Sequence, residues 1–142
     1  MQIINKQQNQ YFLKFKQKEE FFSEFKNFCR KKRLKGGFFS GIGAALEVEL
    51  GYYDLEEHEY YFSTYDSTPI DVTNMKGNIS FTPGSEYTIH AHGTIADKNQ
   101  EVRGGHINKL IVGPTLEVAI FPTENKMKRE YDQETDLDLL TV

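Results

Sequence analysis

The sequence predicts an α+β domain, a single main helix against an antiparallel or mixed β-sheet. Only one segment, Glu19–Arg33, carries a helical apolar stripe, with Phe21, Phe25, Phe28 and Cys29 at i, i+4, i+7 and i+8. Most of the remainder alternates at period two and is rich in β-branched and aromatic residues, with eleven Phe and eight Tyr in the chain. At 142 residues the chain has the size of one domain and buries a core without disulfide or metal staples.

The elements follow in order. Tyr11–Lys16 (YFLKFK) reads as a first strand. The helix has Glu19 and Glu20 at its start and Arg30 to Arg33 at its end, complementing its dipole, and Gly36 and Gly37 are expected to stop it. GFFSGIGAALEVELGYYD reads as one long strand, bent or bulged at its glycines, with Phe38, Ser40, Ile42, Ala44, Leu46, Val48 and Leu50 on one face. His58–Tyr65 is its partner through a turn at Asp54–Glu57. Strands are expected at Ile70–Val72, Asn78–Phe81, Tyr87–Ile95, Lys109–Val112 and Thr115–Phe121, with Pro114 separating the last two or marking an edge. Residues 1–122 read as the domain and 123–142 as an acidic tail with six acidic and three basic residues. The tail is either partly disordered or docks its apolar end, LDLLTV, as an edge strand.

Charge and composition bound the function. The net charge is −4 and the pI about 5.6, which weighs against nonspecific nucleic-acid binding by the domain as a whole but leaves local patches open. The single cysteine, Cys29, excludes an internal disulfide and a cysteine-rich zinc site. No apolar run reaches the length of a signal peptide core or a membrane span, so a soluble, cytoplasmic protein is expected.

The most informative motif is His90-Ala-His92 followed, fourteen residues on, by Gly-Gly-His106. On a strand, His90 and His92 share one face with Glu86, Thr88 and Thr94, while Tyr87, Ile89 and Ala91 face the core. Residues two apart on a strand are roughly 6.6 Å apart, close enough for two imidazoles to converge on one ion. The glycines before His106 are expected to supply unusual backbone conformations that return the chain to the pair. Three nitrogens with an open fourth position is the catalytic zinc arrangement; nickel, copper and iron also accept imidazole. The alternative is a set of hydrogen-bonded polar residues on a half-exposed strand.

Other candidates are weaker. Arg103, just before the glycines, is a possible carboxylate clamp, and Glu117 a possible base or ligand, though either serves equally as a surface ion-pairing group. Arg30, Lys31, Lys32 and Arg33 form the core of the one strong basic cluster, either facing phosphates or simply balancing the helix end. Cys29 lies on the apolar stripe and reads as core. Gly41-Ile-Gly43 lacks the third glycine of a dinucleotide loop and reads as a bulge or close approach.

With these segments in place the sequence resembles the plant and prokaryote conserved (PPC) domain. The matching pieces, in order, are FKQKEEFFSEFKNFCRKK, GGFFSGIGAALEVELGYYD, HEYYF, GNISF, HAHGTIADKNQEVRGGHI and VGPTLEVAIF, spanning Tyr11 to Phe121. The resemblance implies an antiparallel α+β fold and a homotrimer. It also implies a metal at His90, His92 and His106, as in some prokaryotic relatives. A DNA-binding role attaches to the family chiefly because plant relatives add an AT-hook, whose Arg-Gly-Arg-Pro core is absent here. The domain is distantly similar to acetolactate decarboxylase, a zinc enzyme with an HxH…H set. Two functions are therefore expected to compete. The first is a trimeric DNA-binding or regulatory module, binding DNA weakly. The second is a metal-dependent enzyme on a small carboxylate or keto acid.

Overall fold

The computed structural model describes residues 1–66 and 69–141. Its elements are β1 (Gln2–Gln7), β2 (Gln10–Lys16), α1 (Phe21–Lys32), β3 (Gly37–Asp54), β4 (Glu59–Tyr65), β5 (Ile70–Phe81), β6 (Tyr87–Ala96), β7 (Val102–Pro122), β8 (Lys128–Asp132) and β9 (Leu137–Thr141). The sheet is mixed. Every strand pair is antiparallel except the short β5–β8 contact at Phe81 and Lys128. Strands β3, β5, β6 and β7 close into a ring, because β3 pairs with β5, β5 with β6, β6 with β7, and β7 again with β3. The ring has an inner face toward α1 and an outer face.

The helix starts where Glu20 caps it, its carboxylate accepting from the backbone N–H groups of Phe22 and Ser23. It stops earlier than the glycines. Arg33 adopts the left-handed conformation at φ 53°, and Arg33 and Leu34 donate their N–H groups to the carbonyls of Arg30 and Cys29. Gly36 precedes β3 and Gly37 begins it. Phe21, Phe25, Phe28 and Cys29 are buried. Phe25 meets Phe39 edge-on at 5.0 Å, and Phe15 meets Phe21 at 5.1 Å, so helix and sheet share an aromatic core.

The long strands depart from simple alternation at bulges. Between Ala45 and Glu47, β3 advances two residues while β7 advances one, from Val112 to Ile111. That extra residue reverses the phase of the strand. Val48 and Leu50 are buried, but Phe38 and Ile42 are 54% and 58% exposed, so the single apolar face expected over Phe38–Leu50 is split between the two faces. Pro114 does not divide β7. It lies in a second bulge, where β7 runs from Leu116 to Val112 opposite only Gly43 to Ala45, and a ladder N–H is not required there. Gly43 has φ 152°, and a Cβ there would collide with the Thr115 carbonyl oxygen. The segments 70–72 and 78–81 are likewise one strand, β5, with a register shift between Val72 and Asn74.

The C-terminal segment forms the β8–β9 hairpin. Arg129 of β8 covers the outer face of β5, donating from Nε to Ser80 Oγ at 2.9 Å and from an Nη to Asn78 Oδ1 at 3.1 Å. At the far end of the hairpin, the Tyr53 hydroxyl donates to the Thr135 carbonyl at 2.7 Å. None of the helices of the described residues is long and apolar enough to cross a membrane.

Candidate metal centre

Alternation places the three histidines on the outer face of the ring. Ile89 and Ala91 are buried on the core side, while His90 and His106 are half-buried and His92 is exposed. His106 is delivered by register. The β6–β7 hairpin turns at Asp97, whose Oδ1 accepts from the N–H groups of Asn99 and Glu101, and this sets His106 directly opposite His92. Opposed residues on neighbouring strands point to the same face with their Cβ atoms about 5 Å apart.

Gly104 and Gly105 contribute differently from expectation. Among the described residues only Gly43 is a positive-φ glycine, so these two are ordinary extended backbone. They are needed for space. A Cβ on Gly104 would stand 2.9 Å from the Gly93 carbonyl oxygen, and one on Gly105 would stand 2.8 Å from that of Gly51. Close approach of three strands around His106 is the result.

The imidazoles converge. Nε2 of His90 and Nε2 of His92 are 3.2 Å apart, and one ligand atom from each of the three histidines lies within 4.8 Å of the others. Two ligands at about 2.05 Å from a tetrahedral zinc are about 3.3 Å apart. The closest pair therefore already has that spacing, and modest side-chain rotation closes the rest. Burial, then the charge of Arg129, then His106 and His92 hold the His90 imidazole down to about 4. His106 is lowered too, by burial first and then by His92 and Arg129. Both rings are thus neutral at pH 7, the form that donates a lone pair to a metal. Among the described residues, the buried Nδ1 of His106 has no hydrogen-bond partner, an orphaned polar atom that a ligated ion would satisfy. The residues present fit a three-nitrogen metal site.

The surroundings are mainly aromatic. A cavity of about 470 Å³ adjoins His90 and His92 and is lined by Phe38, Phe39, Phe121, Ser40, Lys76, Gly77 and Asn78. On the other side the Tyr60 ring lies 5.4 Å from His106.

The remaining sequence candidates do not join this group. Arg103 sits on β7 opposite Ile95 and, three residues from His106, on the other face of an unbulged stretch. It pairs with Glu101 at 2.9 Å and lies over the Tyr65 ring at 5.8 Å. Glu117 is eleven residues along β7, opposite Lys14 and Ile42, and lines a separate cavity with Phe12 and Ile42. Arg30, Lys31, Lys32 and Arg33 are exposed at the end of α1, with Arg30 donating to Asn27 at 3.2 Å. Cys29 is buried, and burial pushes its thiol up to about 12, which removes it as a nucleophile. Sequence reasoning missed Arg129 altogether, because a lone arginine in an acidic tail carries no signal of what it covers.

Comparison with known proteins now decides the family. The family model for the Plants and Prokaryotes Conserved (PCC) domain matches residues 3–124. The chain belongs to this family. A Ralstonia eutropha protein, named provisionally as DNA-binding, is 26% identical, with 93% of this chain and 90% of that chain covered at a TM-score of 0.86. A protein of Archaeoglobus fulgidus, named metal-containing, is 24% identical over 100% of this chain and 99% of that one, also at 0.86. Acetolactate decarboxylase of Bacillus subtilis is similar in fold over part of its length. It is 17% identical, and the match covers 87% of this chain but 57% of the enzyme at a TM-score of 0.54. No curated protein matches the chain.

Proposed function

We propose that this PCC-domain protein works through its three-histidine centre. There a divalent ion, zinc in the first place, is held by His90, His92 and His106 with its remaining coordination open to a small-molecule ligand. The observation that carries this reading is the convergence of three ligand nitrogens within 4.8 Å on a half-buried face, with His90 and His106 kept neutral. The Archaeoglobus relative's name as a metal-containing protein adds support. A bound ion would act as a Lewis acid and template for that ligand. We further propose a homotrimer. Phe12, Phe38, Ile42 and Phe121 are exposed on adjoining positions of β2, β3 and β7, an apolar area that subunit contact would cover.

Two other readings follow from particular observations. DNA binding is favoured by the name of the Ralstonia relative and by the exposed basic run Arg30–Arg33. The net charge of −4 opposes it. Enzymatic action on a small carboxylate or keto acid is favoured by the likeness to acetolactate decarboxylase. Within one chain it lacks the helpers read from sequence, since Arg103 and Glu117 lie away from the histidines.

A titration of duplex DNA at rising salt, run beside zinc titration, tests this reading. The metal reading expects tight zinc uptake that His92→Ala abolishes, and weak DNA binding that fades steeply with salt. Tight DNA binding at physiological salt that survives His92→Ala and is lost on charge reversal at Arg30, Lys31 and Lys32 overturns it.

A further inference from the structure

Among the residues that line the cavity beside His90 and His92, Lys76 is the one lysine or arginine. The sheet register puts it there. From Asn74 to Phe81 the β5–β6 ladder runs without a shift, with Lys76 opposite His92 and Asn78 opposite His90. On its other side Lys76 is opposite Ser40 of β3, and His92 is in turn opposite His106 of β7. Opposed residues share a face with their Cβ atoms about 5 Å apart. Ser40, Lys76, His92 and His106 therefore form one row across four strands of the outer face. The Lys76 side chain leaves the sheet on the same side as the histidines, one strand away from His92.

No protein anion accompanies this cation. Two other sheet lysines show the usual arrangement: Lys109 pairs with Glu47 at 2.8 Å, and Lys14 stands opposite Glu117. Lys76 has Ser40 and His92 across the strands and Asn74 and Asn78 two residues away on its own strand. None of these is acidic, and no carboxylate lines the cavity. Among the described residues no ion pair includes Lys76. Asn78 adds a second donor. Its Oδ1 accepts from Arg129 at 3.1 Å and from the Ser80 hydroxyl at 3.4 Å. A guanidinium has only donors, so the amide oxygen is fixed toward Arg129, which itself lines a different cavity. The amide N–H groups are what Asn78 has left to offer the cavity beside the histidines.

These groups select by charge. The candidate ligand set is histidine alone, so an ion there brings its full charge to a concavity that already holds an ammonium. The complement of such a surface is an anion from solution. The rest of the cavity, about 470 Å³, is walled by Phe38, Phe39 and Phe121. Aromatic walls suit an anion with an apolar body better than a strongly hydrated inorganic oxyanion. Phe38 and Phe121 also belong to the face proposed for subunit contact, so in the trimer a neighbouring subunit would stand at the rim.

We propose that Lys76 is the anion-selecting residue of the histidine centre, and that with the Asn78 amide it holds a small organic carboxylate against the bound ion. This rests on the metal reading above for the ion, but the Lys76 subsite has its own readout. Isobutyrate, its neutral counterpart isobutyramide and inorganic phosphate are titrated calorimetrically into the full chain, zinc-loaded and chelator-treated, in the assembly it forms. Wild type, Lys76→Met and Lys76→Gln are compared, with Lys98→Met in the β6–β7 turn as the control for loss of a surface charge. Zinc content is measured in each so that affinities are compared at equal loading. Lys76 is exposed, so neither substitution removes a core contact.

Zinc-loaded wild type is expected to bind isobutyrate in preference to isobutyramide. Isobutyrate affinity should fall by about tenfold or more in Lys76→Met and Lys76→Gln and stay at the wild-type level in Lys98→Met. No isobutyrate binding by zinc-loaded wild type overturns the proposal, as does equal binding of the acid and the amide. Equal isobutyrate affinity in wild type and the Lys76 variants overturns it too, and so does an equal fall in Lys98→Met. Phosphate binding more tightly than isobutyrate overturns the organic-carboxylate assignment. If wild type takes up no zinc, the metal reading fails by itself. The chelator-treated arm then decides: Lys76-dependent isobutyrate binding upholds the subsite, and none overturns it. Should one Lys76 variant fail to fold, the other and the acid–amide comparison on wild type decide the matter.

Discussion

In metal-free protein, stability should fall as the pH drops below 6.5, and His90 should account for a measurable share. Its imidazole titrates at about 4 when folded, against 6.5 ordinarily, through burial first and then the charges of Arg129, His106 and His92. Across that window the unfolded chain binds a proton that the folded one refuses, so the contribution is complete above 6.5 and is lost progressively toward 4. Each pH unit corresponds to about 1.4 kcal/mol, giving a ceiling of about 2 kcal/mol by pH 5, which solvent screening of the half-open ring reduces to about 1 kcal/mol. His106, lowered in the same direction, adds to the slope. Urea denaturation in chelator at pH 7.5, 6.5, 5.5 and 5.0 measures this in wild type and His90→Gln. Other titrating groups, including Glu19 and Asp132, both held low by their contacts, are common to both proteins and cancel in the difference. Wild type should lose about 1 kcal/mol more than the variant, a few degrees in Tm. Parallel pH profiles for the two proteins would refute the burial argument.

Two further outcomes are expected. Phe25→Ala removes a fully buried ring that touches Phe15, Phe21 and Phe39, and should cost about 3–5 kcal/mol in urea denaturation; a loss below about 1 kcal/mol would contradict the assigned core. The double change Ile42→Asp and Phe121→Asp should convert a trimer into monomers by light scattering, and a monomeric wild type at micromolar concentration would sink the trimer outright.

The features legible in the sequence were those written in local periodicity. The stripe through Phe21, Phe25 and Phe28 gave the helix within two residues at its start, and YFLKFK gave β2 because its buried and exposed positions alternate cleanly. β1 was not read, since QIINKQ is exposed throughout and owes its strand conformation to pairing with β2 rather than to burial. The phase of β3 was lost at the Leu46 bulge. A local pattern does not reveal how many residues the partner strand contributes, and that count decides which side Phe38 and Ile42 face. The histidine centre was legible because His90 and His92 are two apart on one strand and His106 lies on the next strand of the same hairpin. Arg129 was not, because its proximity depends on a chain reversal that places β8 over Asn78 and Ser80, some fifty residues away.

The function proposed for the histidine centre depends on the metal. Protein expressed without a histidine tag and dialysed against buffer containing no added metal should carry close to one transition-metal ion per chain by plasma mass spectrometry, with zinc foremost. His92→Ala should carry almost none while keeping the wild-type circular dichroism spectrum, because His92 is exposed and contributes nothing to the core. Equal and negligible metal in wild type and His92→Ala, persisting after equilibration with micromolar zinc, would contradict the central claim and leave the three histidines as polar residues of a sheet surface.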